Sequence, residues 1–424
     1  MAELKDTATR AERAFLVGVQ TDTISKGEAE SLLKELGGLA TSLGLEIAGN
    51  MPVKVRERTA ALFLGTGKAD EVVAAARAEN ADSIVFDHPL TPVQQRNWEK
   101  LADLKVYDRS ELIIKIFASR ALTKEAALQV ELAQLQFSLP RLAHSYEALS
   151  RQRGGRYGTK GSGEQKIELD RRAIEKRIHD IEEELKVVRK SREVQRKRRE
   201  RLDVPRAAVV GYTNAGKSSL LNALTRASVL VEDKLFATLD PTTRRLGLSK
   251  GGSLLLTDTV GFVRNLPHGL VEAFKATLEE ASAADLLVHV VDASDPEAEL
   301  HMKTTDKVLA EIGAGEVPRI LAVNKVDLLD PAMRDALSAR FPGARIVSVK
   351  TGEGIPELLS AIEEGLTANA GILRVRIPDT DYGLVALLRR EAQILDEERD
   401  DEGTTLSCRV PDRLVSKFEK YRVE

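Results

Sequence analysis

Gly211-Tyr212-Thr213-Asn214-Ala215-Gly216-Lys217-Ser218 is the stretch that decides the fold. It has the G-x-x-x-x-G-K-[ST] spacing of a phosphate-binding loop. The apolar run Ala207–Val210 before it reads as a strand, and Ser218–Leu224 after it reads as a helix. That context gives the loop its chemistry. Glycines let the backbone turn so that successive N–H groups close on phosphate oxygens. The helix N-terminus adds partial positive charge. Lys217 is the candidate catalytic cation bridging β- and γ-phosphates, and Ser218 a candidate Mg²⁺ ligand.

Further strand ends carry matching signals. Asp258-Thr259-Val260-Gly261 follows the apolar run Ser253–Leu256, with Asp258 lying 40 positions after Ser218. A carboxylate there holds Mg²⁺ through water, and the Gly261 N–H is placed to sense the γ-phosphate. Asn324-Lys325-Val326-Asp327 follows Ile320–Val323. Asp327 can accept from N1–H and the 2-amino group of guanine, donors that adenine lacks at those positions, so a site built on this carboxylate selects guanine. Lys325 would cover the base plane. Ser348-Val349-Lys350, at the end of the last apolar run, would add a backbone N–H for the guanine oxygen. Between the first two motifs lies Phe236-Ala237-Thr238-Leu239-Asp240-Pro-Thr-Thr. A threonine here would complete Mg²⁺ coordination, and Thr238, Thr242 and Thr243 all compete for the role on spacing alone.

The expected fold is α/β. A GTPase domain at 205–367 has a mixed, mostly parallel sheet. An α/β domain at 1–118 precedes it, with strands expected at Phe15–Val19, Ala60–Leu64, Ser83–Phe86 and Lys105–Tyr107. A helical hairpin is expected at 119–204, because Leu128, Leu132, Leu135, Leu139 and Leu142, and Ile174, Ile178, Ile181, Leu185 and Val188, step alternately by four and three. A small α+β domain is expected at 368–424, with helices over Tyr382–Leu395 and Pro411–Tyr421.

Composition bounds the function. The chain has 424 residues, 42% hydrophobic and 30% charged, which excludes collagenous and wholly disordered classes. A single cysteine, Cys408, excludes disulfide frameworks and CxxC chemistry. No apolar run approaches the roughly 18–20 residues that span a bilayer, and no leader is evident, so a cytoplasmic protein is expected. The net charge of −3 (63 Lys+Arg against 66 Asp+Glu) conceals segregation. Residues 151–204 hold 18 Lys/Arg and 11 Asp/Glu, a local +7, leaving −10 elsewhere. Arg151, Arg153, Arg156 and Lys160 lie in or beside a glycine-rich stretch between the two hairpin helices, where they would contact RNA phosphates, which position without specifying sequence.

These motifs, in this order, resemble the translation-factor class of GTPases. Gly158-Thr-Lys-Gly-Ser-Gly-Glu164, Asp170-Arg-Arg172, Leu90-Thr-Pro-Val-Gln-Gln-Arg-Asn97 and Phe236–Asp240 narrow the resemblance to the HflX family of ribosome-binding GTPases, over nearly the whole chain. The resemblance implies GTP and GDP binding, association with the large ribosomal subunit and its rRNA, and ribosome splitting under stress. It assigns the Mg²⁺-linked threonine to Thr238, beside Ser218. It implies that the basic loop reaches rRNA. A monomer is expected.

Phe262 follows Gly261 where many GTPases place the glutamine that orients the attacking water. Intrinsic turnover should therefore be slow and ribosome-stimulated, with the water positioned by a switch-loop group, a monovalent cation such as K⁺ near Asn214, or the ribosome. Two other classes fit the sequence: a GTPase of ribosome assembly or tRNA modification, and an RNA- or protein-binding scaffold with a structural nucleotide.

Overall fold

The computed structural model describes residues 11–152, 162–200, 204–225, 235–248, 253–265, 278–368, 371–400, 402–410 and 412–423. They divide into two compact units. Residues up to Val188, with Leu235 and Phe236, belong to the first, and the rest to the second.

The first unit is built on a parallel sheet of β1 (Arg13–Gln20), β2 (Glu46–Lys54), β3 (Ser83–Phe86) and β4 (Lys105–Asp108), in the order β2-β1-β3-β4. Three of its helices start where side chains satisfy free N–H groups. Ser25 caps Lys26–Ser42, and Asp108 caps Arg109–Arg120. Thr91 and Gln94 form a capping box for Pro92–Ala102, with Pro92 in the first turn. Phe15, Phe86, Trp98 and Val106 lie in the core. Two long helices follow, Lys124–Gln152, which continues through Pro140, and Ser162–Glu200. Leu128, Ile181 and Leu185 pack together with Leu132 and Leu135, so part of the alternating seam is in contact. A fork of Arg177 on Glu131, at 2.7 and 2.8 Å, lies alongside. Arg141 donates to Gln95 at 2.8 Å, tying the hairpin to the helix that follows β3.

One expectation for the first unit is corrected. The second strand is Glu46–Lys54, not Ala60–Leu64. Residues 60–64 form a turn in which Phe63, at φ 65°, and Leu64 are buried as plugs.

The second unit holds a six-stranded sheet, in the order β10-β9-β8-β5-β7-β6. Its strands are β5 (Arg206–Gly211), β6 (Thr242–Gly247), β7 (Ser253–Asp258), β8 (Leu286–Asp292), β9 (Arg319–Asn324) and β10 (Arg345–Ile346). Only the β6–β7 pairing is antiparallel. Near-continuous apolar runs such as Ala207–Val210 suit strands covered on both faces. Helices Lys217–Thr225 and Ile355–Ala368 pack Leu220, Leu221, Leu358 and Ile362 into its core. The last strand is short: beyond Ile346 the Val347 N–H still donates to the Val323 carbonyl at 2.8 Å, and Ser348–Lys350 lead into a turn.

A three-stranded antiparallel sheet follows, β11 (Gly371–Ile377), β12 (Gln393–Asp400) and β13 (Gly403–Val410), with β13 central. Here the expected helix Tyr382–Leu395 is corrected. It ends at Glu391, and Gln393–Asp400 is a strand. Helix Asp412–Phe418 contributes Leu414 and Phe418 to the core beside buried Cys408. Among the described residues no helix is long and apolar enough to cross a membrane.

Candidate functional site

Parallel strands bring their carboxyl ends to one edge, where ligands of open α/β sheets bind. There the structure gathers Gly211–Ser218 after β5, Asp258–Gly261 at and after β7, Asn324–Asp327 after β9, and Ser348–Lys350 after β10.

The glycines of the first loop are required where they stand. Gly211 has φ 145°, and a Cβ there would lie 2.2 Å from the Val290 carbonyl oxygen. Gly216 has φ 96°, and a Cβ there would lie 2.3 Å from Asn324 Nδ2. Gly261 is hemmed in differently: a Cβ would come within 2.7–2.9 Å of Thr213 and Lys217 Nζ. Backbone alone fits at that point.

Lys217 is buried and donates from Nζ to the Tyr212 carbonyl at 2.7 Å. Burial pushes its pKa down to about 8, opposed by nearby Asp258. Asp258 is itself fully buried, and burial raises its pKa against the attraction of Lys217 and the hydrogen bonds from Ser218 and Thr238. Ser218 Oγ donates to Asp258 Oδ2 at 2.6 Å, Thr238 Oγ1 donates to the same oxygen at 3.0 Å, and the two hydroxyls lie 2.8 Å apart. Of the three competing threonines, Thr238 is the one in this triangle. Thr242 opens β6, and Thr243 pairs with Thr257 at 2.9 Å. Asp258 Oδ1 is buried without a hydrogen-bond partner among the described residues. An all-oxygen set with one unused carboxylate oxygen suits a hard cation such as Mg²⁺.

At the other end, Asn324 joins two loops. Its Nδ2 donates to the Ala215 carbonyl at 2.9 Å, and its Oδ1 accepts from the Val349 N–H at 3.1 Å. Ser348 Oγ donates to Asp327 Oδ1 at 2.7 Å. Lys325 stands in the left-handed region at φ 64°, with Nζ 2.7 Å from Asp292 Oδ2. Asp292 is held in turn by the backbone N–H and hydroxyl of Ser294, both on Oδ1. Asp292, at the carboxyl end of β8, was not among the residues expected from the sequence.

Thr259 donates to the Val209 carbonyl, and Leu239 and Val260 are buried. Phe236 stacks edge-on against Phe117 in the first unit, at 4.6 Å between ring centroids. Ala237 and Asp240 flank the triangle along the chain, and Lys350 is exposed beyond Val349. Arg153, Arg156 and Lys160 lie outside the described residues. Arg151 is at the end of the first hairpin helix, with its side chain outside them too. Phe262 is 1% exposed, so its ring is packed inward.

Three family models match in succession: the GTP-binding GTPase N-terminal region over residues 30–118, the GTP-binding GTPase middle region over 120–199, and the 50S ribosome-binding GTPase over 206–325. A curated GTPase HflX from Akkermansia muciniphila is 48% identical over 433 aligned positions, covering 99% of each chain. This chain belongs to the HflX GTPase family. The HflX of Escherichia coli K12 is 42% identical over 383 positions, covering 89% of each chain. The HflX likeness thus runs through the helical hairpin and the small terminal domain as well as the phosphate-loop unit.

Proposed function

We propose that this chain is a cytoplasmic GTPase that binds GTP and GDP and acts on the large ribosomal subunit. The observation that carries the nucleotide part is the Ser218–Thr238–Asp258 triangle beside Lys217 and Gly261. Here a serine hydroxyl from the phosphate loop, a threonine from the following loop and a strand-end carboxylate share one point. Ser218 and Thr238 would hold Mg²⁺ directly and Asp258 through water. Bound there, the ion neutralises phosphate charge.

The chain's own groups do the rest. The amides of Asn214–Ser218 receive phosphate oxygens, and Lys217 turns from the Tyr212 carbonyl to the β- and γ-phosphates. The Gly261 N–H meets the γ-phosphate. Asp327 accepts from guanine, Lys325 covers the base, and the Val349–Lys350 backbone faces its oxygen. Charge that develops on the phosphates in the transition state is met by donors already in place. Phe262 supplies no hydrogen bond to the attacking water, which makes intrinsic turnover slow.

The ribosomal part rests on the family relationship and on the +7 segment at 151–204. In this reading its arginines bind rRNA phosphates, GTP favours the bound form, and binding separates the subunits. The test is GTP turnover with and without purified large subunits, with sedimentation of 70S particles alongside. Turnover should rise at least tenfold and free subunits should accumulate. Equal turnover in both conditions would refute the ribosomal reading.

A further inference from the structure

The residues just after Gly261 are held to the phosphate loop by a short ladder. The Thr213 N–H donates to the Phe262 carbonyl at 2.8 Å, and the Phe262 N–H donates to the Gly211 carbonyl at 3.2 Å. A third bond extends the ladder and comes from a side chain: the Arg264 N–H donates to the Tyr212 hydroxyl at 2.9 Å. Tyr212 and Arg264 are each 7% exposed, so this bond is shielded from water. The Tyr212 ring is itself fixed. It stacks on His301 of helix Ala298–Glu311, centroids 3.7 Å apart and planes 7° from parallel. The same region engages the Arg264 side chain, whose Nη2 lies 3.4 Å from Glu297 Oε2. His301 Nδ1 lies 3.4 Å from Asp295.

Tyr212 therefore touches both halves of the chemistry. Its carbonyl receives Lys217 Nζ, and its hydroxyl receives the backbone three residues beyond Gly261. Resting on the site reading above, we propose that Tyr212 is a positioning residue for GTP hydrolysis: its hydroxyl sets the backbone of Phe262–Arg264 so that the Gly261 N–H stays aligned with the γ-phosphate. Phenylalanine would fill the same space and keep the stack on His301. It would leave a buried N–H without an acceptor, and this segment would then relax to pair it elsewhere. The space at Gly261 amplifies the consequence, because Thr213 and Lys217 leave no slack for the backbone to shift and still face the phosphate. GDP has no γ-phosphate, so its binding does not depend on this alignment.

The experiment is single-turnover GTP hydrolysis at saturating nucleotide, with GDP affinity and thermal midpoint measured in parallel, on the full chain. Tyr212→Phe should lower the rate constant about tenfold, the effect of one lost hydrogen bond expressed as a rate. GDP affinity should stay within twofold. His301→Leu, which keeps the hydroxyl but removes the ring's planar partner, should give a smaller fall of the same kind, and it carries the test if Tyr212→Phe does not fold. Lys217→Ala separates the two layers of argument. If it retains nucleotide, the site reading fails and this proposal with it. If it loses nucleotide while Tyr212→Phe hydrolyses at the parent rate, only this proposal is overturned. A Tyr212→Phe variant that loses GDP affinity in proportion to rate would assign the residue a structural role and overturn it as well.

Discussion

Replacing Asn324 by aspartate should break the joint between the phosphate loop and the guanine loop. The side chain is 2% exposed and makes two directional bonds, one donated to Ala215 and one accepted from Val349. Aspartate is the same size and keeps the acceptor. It turns the donor into an oxygen facing the Ala215 carbonyl at about the present 2.9 Å. The lost bond costs about 1 kcal/mol, and a buried carboxylate without a cationic partner costs several kcal/mol more, unless it takes up a proton. Asn324→Ala, which loses both bonds without adding charge, sets a floor of about 2 kcal/mol. That floor corresponds to roughly a 30-fold loss in nucleotide affinity at about 1.4 kcal/mol per decade, and the aspartate should do worse. Titration with a fluorescent GDP analogue reads this directly. GDP affinity within twofold of the parent for both variants would refute the reasoning that Asn324 holds the two loops in register.

Two other expectations follow from the same unit. His289 is buried on β8, and its Nε2 has no partner among the described residues. Burial lowers its pKa to about 4, Arg319 and Lys217 push the same way, and Asp306 opposes them. The unfolded chain, with an ordinary value of about 6.5, binds more protons between those limits. Stability is then full above pH 6.5 and falls by about 3 kcal/mol as pH drops toward 4. His289→Leu should remove this slope from urea unfolding measured across that window, and an unchanged slope would assign it to other groups. Ser218→Ala should remove one hydroxyl from the triangle, lowering hydrolysis at least tenfold at millimolar Mg²⁺ and raising the Mg²⁺ needed for half-maximal rate. An unchanged Mg²⁺ requirement would count against its role as a ligand.

Much of the site was legible because its motifs are local. Loop geometry that needs glycine at 211 and 216, a lysine at a helix start and carboxylates at strand ends all leave fixed spacings in the chain. What escaped was long-range. β2, Glu46–Lys54, holds Gly49, Asn50 and Pro52, and its residues are mostly exposed or half-buried, so it lacks the apolar run of a central strand. As an edge strand it tolerates them. Ala60–Leu64 has that run and is a turn, because apolar residues can plug a core from a loop. β12 reads Gln-Ile-Leu-Asp-Glu-Glu-Arg-Asp, rich in helix formers, and pairing with β13 overrides that preference. The spacing of Thr238, Thr242 and Thr243 could not rank them. In the structure it is the Thr238 hydroxyl that lies within hydrogen-bond distance of Ser218 and Asp258. The contacts of Tyr212 with Arg264 and His301 span 52 and 89 positions, with no local pattern to announce them.

The central claim, that this site reads guanine through Asp327, is tested most directly by Asp327→Asn. The carboxamide keeps one acceptor and offers a donor where guanine presents its 2-amino group, whereas xanthine presents a carbonyl there. GDP and xanthosine diphosphate affinities should be measured on the parent and the variant. The account predicts that GDP binding falls at least 100-fold and that preference shifts to the xanthine nucleotide. GDP binding unchanged by the substitution would contradict it.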